Sequence, residues 1–400
     1  MSAQQGQPAM LQGIKVVDLT SVVFGPYCTQ LLADLGAEVT KVEAPGLGDA
    51  FRWSGPAPAS PNMAPGFMAL NRGKRSITLD LKDPADKAVM HQLLAEADVF
   101  VVNVRGKALE RLGLDYEAVR AIRPDIVYVH CVGFGQDGPY AELQAYDDVI
   151  QAATGTTSLL PRVDGDPRPR YLPSLIADKV AGLHGAYAAL AALFHRQRSG
   201  EGQRVEVPMF EAFASFMLLE HLGAQTFVPP LGPAGYARQI DPLRQPFPTA
   251  DGHISIVIYT HDAWDRAFAL LGDPDFIAEE RFNRPGGRGR HQDELYARLA
   301  ALTPAFTTAE LLELCHAAQL PAQPVRDLDE VIADPHLVAT GFFREREHPS
   351  EGTYLEQARA VRFGAPVPAE LSPPPGLGAD GAAIRAELAA RQEPAAKPGP

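Results

Sequence analysis

Apolar and polar positions along the chain fall into blocks that read as strands and helices in turn. IKVVDL (14–19) is a short apolar run rich in β-branched residues, the signal of a buried strand. GPYCTQLLADLG (25–36) carries Pro26 in a first helical turn and Gly36 just past the end, which predicts a helix. EVTKVE (38–43) predicts a second strand. Strand, helix and strand within about thirty residues form a βαβ unit, so the sheet starts parallel. The alternation continues. SITLDL (76–81), DVFVVNV (98–104) and DIVYVHCVG (125–133) predict strands, and 84–97 and 114–124 predict helices, the second stopped by Pro124. An Ala/Leu-rich helix follows from Leu175 to His195, and another runs from the end of GEGQRVEVPM to about Ala224.

Beyond this point the pattern changes. Residues 226–242 are rich in Pro and Gly and read as an extended connection. FPTADGHISIVI (247–258) predicts a hairpin around Asp251-Gly252, with short helices up to about residue 318 and short strands and turns over 322–370. The expectation is an α/β protein with a large domain over 1–224, a linker over 225–244 and a smaller α/β domain over 245–320. A flexible tail over 391–400 completes it.

Composition narrows the function classes. The chain has 400 residues, 46% hydrophobic and 21% charged, an ordinary globular mixture long enough for a large core. A formal net charge of −13 argues against a general nucleic-acid binder. Cys28, Cys131 and Cys315 are odd in number and far apart, so neither a disulfide framework nor a zinc site is expected, and a reducing cytoplasm is the default. The first ten residues lack the pattern of a signal peptide. The longest apolar run, about Val180 to Phe194, contains His184 and is too short to span a bilayer, so no membrane association is expected.

Several motifs bear on chemistry. GFGQDG (133–138) follows a strand but is followed by Pro139-Tyr140, with no second strand in reach. It reads as a glycine-rich turn at the carboxyl edge of a sheet rather than a dinucleotide fingerprint. NRGKR (71–75) and RGKALER (105–111) are basic clusters in an acidic chain, readable as solvated charge or as a cradle for a polyphosphate. Asp178 is the one acid at the head of an apolar helix. It reads either as a helix-start charge favoured by the dipole or as a nucleophile or base where water is scarce. His184, six residues on, lies on another helical face. No G-x-S-x-G, H-E-x-x-H or P-loop is present.

Taken together, several segments resemble the family III CoA-transferases. They are KVVDLTSVVFGPYCTQLLADLGAEVTKVE, NRGKRSITLDLK, VNVRGKALERLGLDYE, GFGQDGPY, LIADKVAGLHGAYAALAALFHRQRSGEGQRVEV and ADPHLVATGFF. The resemblance covers about residues 11 to 390. It implies a Rossmann-like large domain whose parallel sheet is built from both chain ends, the chain returning to that domain over 321–390, a small domain, and an interlocked homodimer. It implies CoA transfer from an acyl-CoA thioester to a free carboxylic acid, with CoA as substrate and no permanently bound cofactor or metal. Asp178 aligns with the family's catalytic aspartate. Asn71, Gly73, Lys74, Arg75, Leu79, Asn103, Val104, Arg111 and Tyr146 fall at CoA- or thioester-contacting positions.

Departures refine the expectation. Racemases of the family carry a histidine where this chain has Tyr146, so proton transfer between two bases is disfavoured. The usual Asn-Phe-x-Pro-Gly turn reads Asn103-Val104-Arg105-Gly106-Lys107. Ser21, Val23 and Ala44 replace residues of the formyl-CoA enzyme, and its glycine run is missing from 225–250, which disfavours formyl or oxalyl groups. Arg162, Arg168 and Arg170 precede Asp178 and are candidates to receive a dicarboxylate such as succinate, or form a solvated basic loop. An acyl-CoA racemase or isomerase using Asp178 as a base, and a non-catalytic acyl-CoA-binding protein, are the alternatives.

Overall fold

The computed structural model describes residues 8–392; the expected tail lies mostly outside the described residues. Six strands form one fully parallel sheet: β1 (Lys15–Leu19), β2 (Glu38–Glu43), β3 (Lys74–Thr78), β4 (Val99–Val102), β5 (Val127–Val132) and β6 (Gln203–Pro208). Their order is β3-β2-β1-β4-β5-β6. This doubly wound order reverses between β1 and β4, and ligands of such sheets bind at the carboxyl ends of the strands beside that reversal. Val99 to Val102 and Val127 to Val132 are buried throughout, as central strands covered on both faces require.

Helices cover both faces. On one, Phe24–Asp34 and the 24-residue helix Ile176–Ser199 pack against each other over Val16, Leu32, Val101, Val129 and Ala181. They approach closely because the long helix presents glycine: a Cβ on Gly182 would lie 3.0 Å from the Phe24 carbonyl oxygen, and one on Gly185 would lie 3.1 Å from Cys28 Sγ. On the other face, Pro84–Glu96 and the C-terminal helix Gly381–Gln392 close over Val17, Ile77, Leu94, Phe100, Ile384 and Leu388.

The chain divides into two compact units. One comprises 1–156, 171–217 and 339–400; the other comprises 157–170 and 218–338. The second unit holds an antiparallel sheet of β7 (Phe247–Pro248), β8 (His253–Ile256) and β9 (Ala322–Pro324), with a core around Trp264, Phe268, Phe282, Leu295 and Leu311. It reaches past the expected limit of 320, because β9 pairs with β8. Residues 157–170 also join it, Arg162 donating to the Ala234 carbonyl at 2.9 Å.

One expectation is corrected. Among the described residues the six-stranded sheet takes no strand from the C-terminal part of the chain. That part pairs with itself, as the antiparallel hairpin β10 (Phe343–His348) and β11 (Gly352–Gln357). FREREH carries Arg344, Glu345, Arg346 and Glu347, and both strands keep mostly exposed or half-buried positions, unlike the central strands of the sheet.

Candidate active site

A cavity of about 310 Å³ opens at the carboxyl ends of β1, β4 and β5, beside the reversal in strand order. It is lined by the turn after β1 (Ser21, Val22, Phe24), by residues 103–107 after β4, by 131–133 and Gln136 after β5, by 141–146, and by Asp178 and Met209. All of these lie in the larger unit.

Asp178 occupies the first turn of the long helix and is 8% exposed. The helix start has no side-chain cap of its own at Leu175. Instead the Asp178 N–H donates to Asp147 Oδ2 at 3.0 Å. Asp147 is buried at the head of the helix Asp147–Ala153 and accepts from Gln151 Nε2 through its other oxygen. Gln151 also ties down the approach to the long helix, donating to the Leu172 and Ser174 carbonyls and accepting from the Leu172 N–H. Asp178 shares the cavity lining with Phe24, at the start of the helix Phe24–Asp34. The first turn of a helix favours negative charge.

Burial works the other way. Desolvation, reinforced by the Asp147 charge and opposed by the Phe24 amide, raises the Asp178 carboxyl from 3.8 to about 7. The site thus holds a carboxyl group poised near neutrality, facing a cavity of a size that suits a small-molecule group.

The sequence profile of the family described as "CoA-transferase family III" matches residues 11–381. The chain belongs to CoA-transferase family III. It is 33% identical to the succinate–glutarate CoA-transferase of Agrobacterium fabrum, over 94% of this chain and 95% of that one. It is 32% identical to the formyl-CoA:oxalate CoA-transferase of Afipia carboxidovorans, over 92% and 91%. A solved CAIB/BAIF family protein from Brucella suis superposes with a TM-score of 0.80 at 32% identity, covering 96% of this chain and 100% of that chain.

The candidate residues of this family III chain fall into three groups. Asp178, Asn103, Val104 and Tyr146 share the cavity lining, Tyr146 being 64% exposed. The amide of Asn103 is engaged by the chain itself: Oδ1 accepts from the Ser21 N–H (3.1 Å) and Nδ2 donates to the Ser21 carbonyl (2.9 Å). Arg111 is exposed on the helix Gly106–Leu112 and is not part of the lining; Arg105 and Lys107 are.

Asn71, Gly73, Lys74, Arg75 and Leu79 are not brought to the cavity. Lys74 is buried at the amino end of β3, its Nζ meeting Asp18 Oδ2 (3.1 Å), Thr29 Oγ1 (2.8 Å), Asn71 Oδ1 (2.9 Å) and the Pro26 carbonyl (3.0 Å). Its ammonium and the Asn71 amide are thus core groups. Burial alone would raise Asp18, but Lys74 and Lys41, with the Thr20 and Thr29 hydroxyls, hold it down to about 2. The Gly73 N–H donates to the Ser372 carbonyl, Arg75 pairs with Glu387 through both terminal nitrogens, and Leu79 is buried.

The glycine-rich turn 133–138 follows the carboxyl end of β5, and its Gly133 and Gln136 line the cavity. Two of its amides, at Gly135 and Gln136, donate to Glu211 (3.0 Å) and Glu206 (2.9 Å) and so are already engaged. In the smaller unit Arg170 pairs with Asp164, Arg168 lies near Asp166 and Arg162 holds Ala234. The acids of that loop offset its basic charge. His184 contacts the Val180 carbonyl and is not in the lining. Asp147 is the functional group that sequence reading missed. The pair Asp147-Asp148 signals an acidic helix start, but nothing local links it to residue 178.

Proposed function

We propose that the protein moves CoA from an acyl-CoA thioester to a free carboxylic acid, with Asp178 as the nucleophile. The observation that carries this reading is the Asp178 carboxylate, buried on a cavity at the strand-order reversal, in a chain of this family. The ionised carboxylate attacks the thioester carbonyl; the C–S bond breaks, giving a mixed anhydride and CoA thiolate. The thiolate attacks the aspartyl carbonyl, expelling the donor acid and leaving an aspartyl-CoA thioester. The acceptor carboxylate attacks that carbonyl and releases the thiolate again. The thiolate then takes the acceptor's acyl group, and Asp178 is regenerated.

A carboxylate is a weak nucleophile, so positioning and exclusion of water supply much of the rate. The cap by Asp147 holds the backbone of Asp178 in place at the head of the helix. A dry cavity also protects the anhydride from hydrolysis. Tyr146 shares the lining and no histidine does, which supports transfer over isomerisation by a second base.

A dicarboxylate donor or acceptor such as succinate is the proposed substrate class; its support is the relative named succinate–glutarate CoA-transferase. The reading includes a cytoplasmic homodimer. Leu183, Tyr187 and Phe194 form an exposed apolar stripe along the long helix, a surface that a second copy would cover.

The test is intact-protein mass spectrometry after mixing with succinyl-CoA, glutaryl-CoA and other acyl-CoAs without acceptor. A CoA-sized adduct mapped to Asp178 and absent from Asp178→Asn is expected, and it should form faster as pH rises through about 7, where the carboxyl ionises. Binding of the esters with no adduct, or full activity in Asp178→Asn, would sink the assignment.

A further inference from the structure

The long helix Ile176–Ser199 takes its cap from far away in the chain. Its N-cap residue is Leu175, whose side chain makes no capping bond. A Ser, Thr, Asp or Asn at that position would accept from a first-turn N–H locally. The N–H of Asp178 instead meets Asp147 Oδ2 at 3.0 Å, 31 residues away in sequence. Asp147 is 3% exposed, and its two oxygens are met by amides, the Asp178 N–H and Gln151 Nε2, rather than by a cation. Burying a carboxylate in this way is costly. Capping the helix does not require that cost, so the long-range bond calls for a second reason.

The place of Asp147 in the chain supplies one. It follows Tyr146 directly, and Tyr146 is the N-cap residue of the helix Asp147–Ala153. Tyr146 is exposed on the cavity lining, whereas Asp147 is buried. One carboxylate therefore joins the wall that carries Tyr146 to the helix that carries Asp178. Gln151, one turn further on and fully buried, completes the joint. Its Nε2 donates to Asp147 Oδ1 at 2.6 Å and to the Ser174 carbonyl at 3.1 Å, and its Oε1 accepts from the Leu172 N–H at 2.9 Å. The approach to the long helix and its first turn are thus held by the same two side chains.

We propose that Asp147 and Gln151 are positioning residues for the transfer: they set where Asp178 stands relative to Tyr146 on the cavity. This rests on the reading of Asp178 as nucleophile. A weak nucleophile draws its rate from placement, so a slack joint costs turnover and spares affinity.

The experiment compares wild type, Asp147→Ala, Asp147→Asn, and Asp147→Ala combined with Leu175→Ser. The rate of aspartyl-CoA formation from succinyl-CoA or glutaryl-CoA is followed in single turnovers by mass spectrometry, binding of CoA by calorimetry, and stability by urea unfolding. In Asp147→Ala the maximal rate is expected to fall about 10- to 100-fold, with the Kd for CoA changing less than about threefold. Asp147→Asn is nearly isosteric but has a single acceptor oxygen, so it loses one of the two bonds; a fall of about three- to tenfold is expected. Leu175→Ser returns a local cap to the helix without restoring the tie to Tyr146. Whatever stability it recovers, the rate should stay low.

A rate restored by Leu175→Ser overturns the proposal, because Asp147 would then be a helix cap and nothing more. A wild-type rate in folded Asp147→Ala overturns it too, as does a loss confined to CoA affinity. Should Asp147→Ala fail to fold, Asp147→Asn carries the comparison, and a wild-type rate there has the same meaning. A wild type that binds CoA but forms no aspartyl adduct with either ester defeats the transferase reading and this proposal with it. An adduct in wild type that forms equally fast in the variants defeats the positioning alone.

Discussion

At Asp178 the demands of chemistry and of folding conflict. The folded-state carboxyl lies at about 7 and its ordinary value is 3.8. Between these values the folded chain keeps a proton that the unfolded chain releases, so stability falls as pH rises through the window. Above pH 7 the full penalty stands, on the order of 4 kcal/mol. Asp178→Asn is therefore expected to abolish transfer and yet raise the thermal midpoint at pH 8 by about 5 °C. That difference should vanish near pH 4, where both states hold the proton; paired thermal scans across pH check it. Replacing Lys74 has the opposite effect on stability, although burial likewise disfavours its charge, lowering the ammonium to about 8. Lys74→Met leaves Asp18 buried without its partner and is expected to cost about 3–5 kcal/mol in urea unfolding. Affinity of the folded variant for an acyl-CoA should be unchanged, since Lys74 faces the core; a lost affinity would restore it as a CoA contact. Sequence reading could not separate these roles, because a buried lysine and a solvated one look alike when the partner acid is 56 residues away.

The pairing of two helices sets the geometry of the site. Gly182 follows Asp178 by one turn and lies against Phe24 and Tyr27. Gly182→Ala would push the helices apart where their N-termini converge. A loss of about 1–3 kcal/mol is expected, with transfer slowed more than acyl-CoA binding is weakened; denaturant unfolding and steady-state kinetics read the two effects. Elements such as these were legible where the pattern was strong. Val99–Val102 is an unbroken apolar run, Val127–Val132 is broken only by His130, and the Ala/Leu-rich segment became the long helix. β6 escaped because QRVEVP mixes charge with apolar residues, as an edge strand does. β3 begins at Lys74, two residues before the expected start, because a lysine and an arginine opened a strand whose lysine is neutralised inside the fold.

Across the whole molecule, the last sixty residues complete what the first eighty begin. Edge strand β3 is sealed by the C-terminal segment: the Ser76 N–H donates to Asp380 Oδ2, the Asp380 N–H donates to the Ser76 carbonyl, and Ile384 and Leu388 bury against Ile77. A chain ending at Glu370 should expose that edge and its apolar neighbours and be recovered mainly as aggregate, measurable as the soluble fraction on expression. This long-range closure was anticipated only as a return of the chain, since no local pattern says which surface a late helix will cover.

The separation of Ser76 from Asp380 is 304 residues. At about 5–20 residues per second of synthesis, the open edge waits roughly 15–60 s on the ribosome for its cover. Throughout that interval the nascent chain offers β3 to any passing strand. Its yield in a cell therefore depends on how fast it is translated and on who guards it meanwhile.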